Sequence, residues 1–147
     1  MDQAARQRWM GILARAAPPA LAELAEPILD QAHYTVLRHP EIGTSMVRGR
    51  AGGAGAAFNL GEISITRCSI ELAGGEIGHA YVQGRNKEHA LHAAILDALL
   101  QTQAHDEIER TILAPLCDAA QMRRTARSQK AEATRVNFFT MVRGEDA

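Results

Sequence analysis

The stretch ISITRCSIELAGGEIGHAYV, residues 63–82, leaves this chain few choices. Two runs rich in β-branched residues alternate apolar and polar side chains around a glycine pair, which specifies an antiparallel hairpin. A two-residue turn at Gly74–Gly75 sets the expected register. Leu72 then faces Ile77, Ile70 faces His79, and Cys68 faces Tyr81 on one side. Glu71, Ser69 and Arg67 meet Gly78, Ala80 and Val82 on the other. Apolar residues collect on the first face, so Cys68 is expected as a small core residue and His79 as a buried, hydrogen-bonded one.

The segments around the hairpin follow the same periodicity arguments. Trp9, Ile12, Leu13 and Ala16 lie at helical spacing within 3–16, a helix that Pro18–Pro19 ends. A second helix is expected near 20–32, bent or split by Pro27. HYTVLR (33–38) and TSMVRGR (44–50) read as a strand pair joined through Pro40–Gly43. AGGAGAAFNLGE (51–62) has no periodicity and reads as a glycine-rich loop. Asn86 is positioned as the N-cap of a helix reaching about residue 103, with Leu91, Ala94, Ile95, Ala98 and Leu99 as its buried stripe. Asp106 and Glu109 have capping-box spacing for a short helix that Pro115 closes, and Asp118 and Gln121 open another to about 133. The expectation is one α+β domain over 1–147. Its parts are a helical segment (1–32), an antiparallel sheet of four to five strands (33–83), helices (86–133) and an extended tail (134–147).

Composition narrows the function. A net charge of −1 gives no global pull toward nucleic acid or an anionic membrane. Aromatics make up 4%, too few for a base-stacking platform. The cations Arg123, Arg124, Arg127 and Lys130 lie on one helical stretch and read first as a solvated face. Cys68 and Cys117 are too few and too far apart for a zinc or disulfide framework. The first residues, MDQAARQRWMGILARAAPP, carry acid and arginine where a signal peptide has an unbroken apolar core, so a cytoplasmic location is expected.

Two stretches offer anion chemistry. In YVQGRNKEHA (81–90), Gln83, Gly84, Arg85, Lys87 and His89 gather where a strand gives way to a helix, whose free N–H groups attract anions. Arginine adds a bidentate fork for phosphate-like oxygens. The same residues equally make a polar turn capped by Asn86. In RGRAGGAGAAFNLGE (48–62), Arg50 flanks Gly52, Gly53 and Gly55, whose backbone amides can approach a ligand or a partner closely. Neither is a recognised phosphate fingerprint. His89 and His92 lie one helical turn apart and need further ligands before they hold a metal. No nucleophile–base set stands out, so no catalytic residue and no metal site is expected.

The end of the chain, TRVNFFTMVRGEDA, packs Val136, Phe138, Phe139, Met141 and Val142, followed by Arg143, into a few residues. Leaving them in water is unfavourable at roughly 25 cal/mol per Å² of apolar surface. They are expected to be buried in this domain or docked on another chain.

RQRWMGILARA, GGAGAAFNLGEISITRC, YVQGRNKEHA and TRVNFFTMVRGEDA together resemble the G subunit of the bacterial carbon–phosphorus lyase core complex, the PhnG family. The likeness runs from about residue 3 to 147. It implies an accessory subunit working in phosphonate catabolism with H, I and J subunits, the I subunit most directly. That complex acts as a transferase, displacing the adenine of ATP with a phosphonate to give ribose 1-phosphonate 5-triphosphate. The J subunit's iron–sulfur cysteines have no counterpart here. The resemblance therefore implies no cofactor on this chain, with ATP a substrate of the complex. The alternative from the residues alone is a self-contained phosphate- or nucleotide-binding module.

Overall fold

The structure, a computed structural model, describes residues 2–134. The tail residues Val136, Phe138, Phe139, Met141, Val142 and Arg143 lie outside the described residues. Helix α1 (Gln3–Arg15) begins at Asp2, whose carboxylate accepts from the Ala4 N–H at 3.0 Å. Helix α2 (Pro18–Leu29) opens on its proline pair, where a missing N–H costs no helical bond. Pro27 remains inside it.

Three antiparallel strands follow, in the order β1-β2-β3: β1 (Tyr34–Arg50), β2 (Ala57–Leu72) and β3 (Ile77–Gln83). The described residues hold three strands where four to five were expected, because 33–38 and 44–50 are two halves of one long β1. Pro40, at the start of the expected Pro40–Gly43 connection, sits where the β1–β2 register shifts between Arg38 and Glu41. On an edge strand a proline can turn its missing N–H away from the ladder, and a bulge absorbs the irregularity. The expected loop 51–62 also shortens. Ala51–Gly53 form a 3-10 turn, Gly52 and Gly53 have positive φ (58° and 79°), and β2 has begun by Ala57.

The β2–β3 register is one residue away from expectation. Ser69 faces His79, Cys68 faces Ala80, and Arg67 faces Tyr81. The turn is a three-residue loop, Ala73–Gly75, closed by Leu72 N–H to the Glu76 carbonyl and Gly75 N–H to the Leu72 carbonyl, both 2.9 Å. Gly75, at φ 94°, supplies the left-handed position that such loops require. The consequence is a complete face swap on β3. Gly78, Ala80 and Val82 turn inward beside Cys68, Ile70 and Leu72, while His79 and Tyr81 face water.

Helix α3 (Lys87–Leu99) lies on that inner face and carries a small-residue stripe, Ala90, Ala93, Ala94 and Ala98, all buried. A Cβ on Gly78 would sit 1.9 Å from the Ala94 carbonyl oxygen, so the strand meets the helix backbone where only glycine fits. Beyond it, α4 (His105–Ile108) runs through a π-helical turn (Glu109–Leu113) into α5 (Ala114–Ala133). Pro115 does not close a helix. It lies in the first turn of α5, where the wider π turn tolerates a missing N–H. Asp118 accordingly falls inside α5.

Thr66, His89 and Asp97 are the buried polar residues among those described, and Asp97 is the most heavily bonded. Asp97 has no exposed surface and its carboxylate accepts four bonds. These come from Arg6 Nε (3.2 Å) and Nη2 (2.7 Å), Trp9 Nε1 (2.8 Å) and the His79 backbone N–H (2.9 Å). It thereby ties α1 to α3 and satisfies a backbone donor of β3.

Candidate functional site

The expected anion residues fall into two places. Gln83, Gly84, Arg85 and Lys87 stay together on the β3–α3 turn. Gly84 takes φ 96°, donates its N–H to the Ser64 carbonyl (2.8 Å), and accepts from Thr66 Oγ1 (2.8 Å). Asn86 caps α3 by accepting the His89 N–H at 2.9 Å. Arg85 and Lys87 are exposed and make no ion pair among the described residues. His89 is different. Its ring is buried, with Nε2 2.8 Å from the Leu13 carbonyl, so it is this histidine, not His79, that fills the core role. That contact joins α1 to the start of α3 and withdraws His89 from the surface of the turn.

Arg50, Gly52, Gly53 and Gly55 lie at the tip of the β1–β2 hairpin, where Arg50 Nη1 donates to the Gly55 carbonyl at 3.1 Å. The β3–α3 turn is bonded at Ser64, seven residues down β2 from Ala57. At about 3.3 Å per residue the two groups stand roughly 23 Å apart along the strand. They do not form one clasp.

The reason for that separation is the most distinctive feature of the fold. β3 pairs with β2 only over Ile65–Glu71. Beyond it, Thr44–Arg50 and Ala57–Ser64 continue as a two-stranded arm. The arm presents Met46, Phe58 and Leu60 to water at 50%, 46% and 66% exposure, with Ile42 and Ile63 near its base also exposed. A two-stranded ribbon with no third strand or helix to lean on is marginal in water. A second projection is α5, whose residues from Gln121 onward are all exposed, Arg123, Arg124, Arg127 and Lys130 included.

Charge on the outer face of the sheet is organised around Glu41, which accepts from Arg38 Nη1 and Arg67 Nε, both at 2.6 Å. Arg38, then Arg67, holds the Glu41 carboxyl below its usual range, and Glu41 in turn raises Arg67. Beside them Ser69 Oγ and His79 Nδ1 are 2.9 Å apart across the β2–β3 pair. Between α1 and β3 lies a cavity of about 210 Å³ lined by Met10, Leu13, His79 and Tyr81, below the usual size of a small-molecule pocket. A larger cleft of about 350 Å³ separates α1 from α5, with Arg15, Arg123, Arg124, Cys117 and Asp118 on its walls. Burial pushes the Cys68 thiol up, and its Sγ lies 3.4 Å from the Arg38 carbonyl, which makes it a core group and not a nucleophile. Among the described residues, no three His, Cys, Asp or Glu side chains are grouped to hold a metal, and no helix is long and apolar enough to cross a membrane.

Two residues escaped sequence reasoning: Asp97 and Gly78. Both carried a signal. Asp97 is the lone acid inside the apolar run AILDALL, and Gly78 is the lone glycine within the β3 run opposite an alanine-rich helix.

Residues 4–144 match the family described as "Phosphonate metabolism protein PhnG". The alpha-D-ribose 1-methylphosphonate 5-triphosphate synthase subunit PhnG of Rhizobium meliloti (strain 1021) is 42% identical over 147 residues, spanning 97% of this chain and 92% of that protein. On that near-complete coverage, this chain belongs to the PhnG family of phosphonate metabolism proteins.

Proposed function

We propose that this chain is an accessory subunit of the assembly that activates phosphonates by displacing adenine from ATP to give ribose 1-phosphonate 5-triphosphate. It acts in the cytoplasm with the H, I and J subunits, the I subunit most directly, and holds no cofactor of its own. ATP is a substrate of the assembly. The observation that carries this reading is the relationship to a named synthase subunit over almost the whole chain. The unsheltered apolar arm and the projecting α5 support it, since a subunit keeps such surfaces for its neighbours. In this reading Gln83, Gly84, Arg85 and Lys87 form a partner-facing polar turn, and the tail from Val136 to Arg143 is a docking segment. Incubated alone with ATP and methylphosphonate, the chain is expected to release no adenine, whereas the assembly containing it does. Adenine release by the isolated chain would refute the accessory role. Truncation after Thr134 is expected to weaken co-purification with the I subunit, and recovery at full yield would remove the tail from the docking surface.

The alternative, a self-contained phosphate- or nucleotide-binding module, loses the combined clasp of Arg50 with Arg85 and Lys87. It keeps one favourable observation, the α1–α5 cleft with Arg15, Arg123 and Arg124. Calorimetry of the isolated chain with ATP separates the two: sub-millimolar binding favours the module, and no heat favours the subunit.

A further inference from the structure

From the arm, we infer that Ile42–Arg50 of β1 is a strand-acceptor edge: an extended segment of a partner subunit adds to it as the next strand. The inference rests on the subunit reading above and specifies where and how the partner is held.

Three observations on the arm converge. The first is backbone supply. β1 is an edge strand with no strand beyond it among the described residues, so one row of its N–H and C=O groups along the arm faces outward. Proteins ordinarily blunt such edges with prolines, bulges or charges. Here those devices are concentrated at the base, where Pro40 and the shifts between Val36 and Glu41 spoil the ladder. From Ile42 to Val47 the β1–β2 register is unbroken, and a single shift at Val47/Arg48 follows. Pro40 and two of the three shifts thus lie in the half over the body, while the arm is regular over Ile42–Val47 and carries one shift, with Arg48 and Arg50, toward its tip.

The second is side-chain supply. Ile42 and Met46 share one face of β1 with Thr44 between them, and Phe58 and Leu60 stand on the neighbouring strand, all four exposed. Gly49 leaves room that Phe58 and Leu60 border, at 3.7 Å and 3.9 Å from where a Cβ would be. Strand addition satisfies the main chain and lets alternate side chains of the incoming strand cover such residues.

The third is charge. Over residues 42–64 the ionisable side chains are Arg48, Arg50 and Glu62, two cations toward the tip and one acid nearer the base. Arg48 has no ion pair among the described residues. An incoming strand with carboxylates placed against Arg48 and Arg50, and apolar residues between, is complementary to this edge. A second copy of this chain brings the same two arginines and is disfavoured by its own charge.

The test uses the full chain co-expressed with a tagged I subunit. Wild-type chain is expected to co-purify, while Met46→Ser/Phe58→Ser/Leu60→Ser and, separately, Arg48→Glu/Arg50→Glu are expected to reduce recovery by about tenfold or more. Both variants should melt as the isolated wild-type chain does, because none of these side chains lies in the core. Full recovery of both variants overturns the inference while leaving the subunit reading intact; failure of the wild-type chain to co-purify sinks the subunit reading itself. Loss of a homodimer in place of the complex assigns the edge to a second copy and also overturns it. Amide hydrogen exchange of the wild-type chain needs no variant. Exchange across 42–50 is expected to slow in the complex relative to the isolated chain, and unchanged exchange there contradicts strand addition.

Discussion

The two halves of the β1–β2 hairpin share strands and chemistry yet live in opposite environments. Over the body, β2 is sandwiched between β1 and β3 with α3 on its inner face, and Cys68, Ile70 and Leu72 are buried. In the arm the same strands carry Met46, Phe58 and Leu60 into water. Apolar alternation is thus not a measure of burial within one chain. It marks a surface prepared for covering, and the third strand decides whether the cover is internal. The body is a finished structure, closed by the Asp97 network and the Gly78 contact. On the subunit reading, the arm is completed when another chain supplies what α3 and β3 supply below.

Substitutions can sharpen or break this contrast, beginning with the largest effect. Asp97→Ala leaves Trp9 Nε1, the Arg6 guanidinium and the His79 N–H without their shared acceptor. A loss of about 4 kcal/mol is expected in denaturant unfolding, and a loss under 1 kcal/mol would show the network to be incidental. Gly78→Ala forces α3 off β3, with an expected cost of about 3 kcal/mol, readable as a drop in melting temperature. A glycine in the arm makes the control. A Cβ at Gly61 meets nothing within 4 Å, so Gly61→Ala should stay within about 0.5 kcal/mol in the isolated chain. Equal costs in arm and body would erase the distinction.

Acidity offers a milder probe of the body. Burial lowers the His92 pKa, with Glu88 opposing and His89 reinforcing. A histidine whose folded pKa lies below its unfolded value contributes stability that is complete above the unfolded value, about 6.5, and is lost as pH falls through the folded one. Glu109 follows the same sign at lower pH, because Arg8 holds its carboxyl below the usual range through a direct hydrogen bond. Stability of the isolated chain should therefore decline in two stages on acidification. His92→Gln should flatten the first, seen in melting temperature between pH 7 and 5, and an unchanged slope would remove His92 as its source.

Much of this was legible in the residues. The capping role of Asn86, the inward Cys68 and the helical N-terminal segment followed from local chemistry that tertiary contacts did not disturb. The register of β3 did not, because AGG supports either a two- or a three-residue turn and the choice depends on which face α3 needs. Gly78 under the α3 backbone settles that choice, and it sends His79 outward. The long β1 was hidden by Pro40, a strand breaker at the centre of a sheet but tolerable at its edge. His89 shares a polar stretch with Lys87, although two residues of helical rotation, about 200°, separate them along α3 and point the His89 ring at the Leu13 carbonyl. Local signals placed the elements, and the site depended on long-range pairing that spacing does not encode.

The most direct test of the account is the mass of what this chain forms. Co-expressed with its H, I and J counterparts and examined by size-exclusion chromatography with light scattering, it is predicted to elute within a multi-subunit particle containing at least the I subunit. A chain that elutes alone as a stable monomer, with its arm amides protected from exchange and the other subunits assembling without it, would contradict the account.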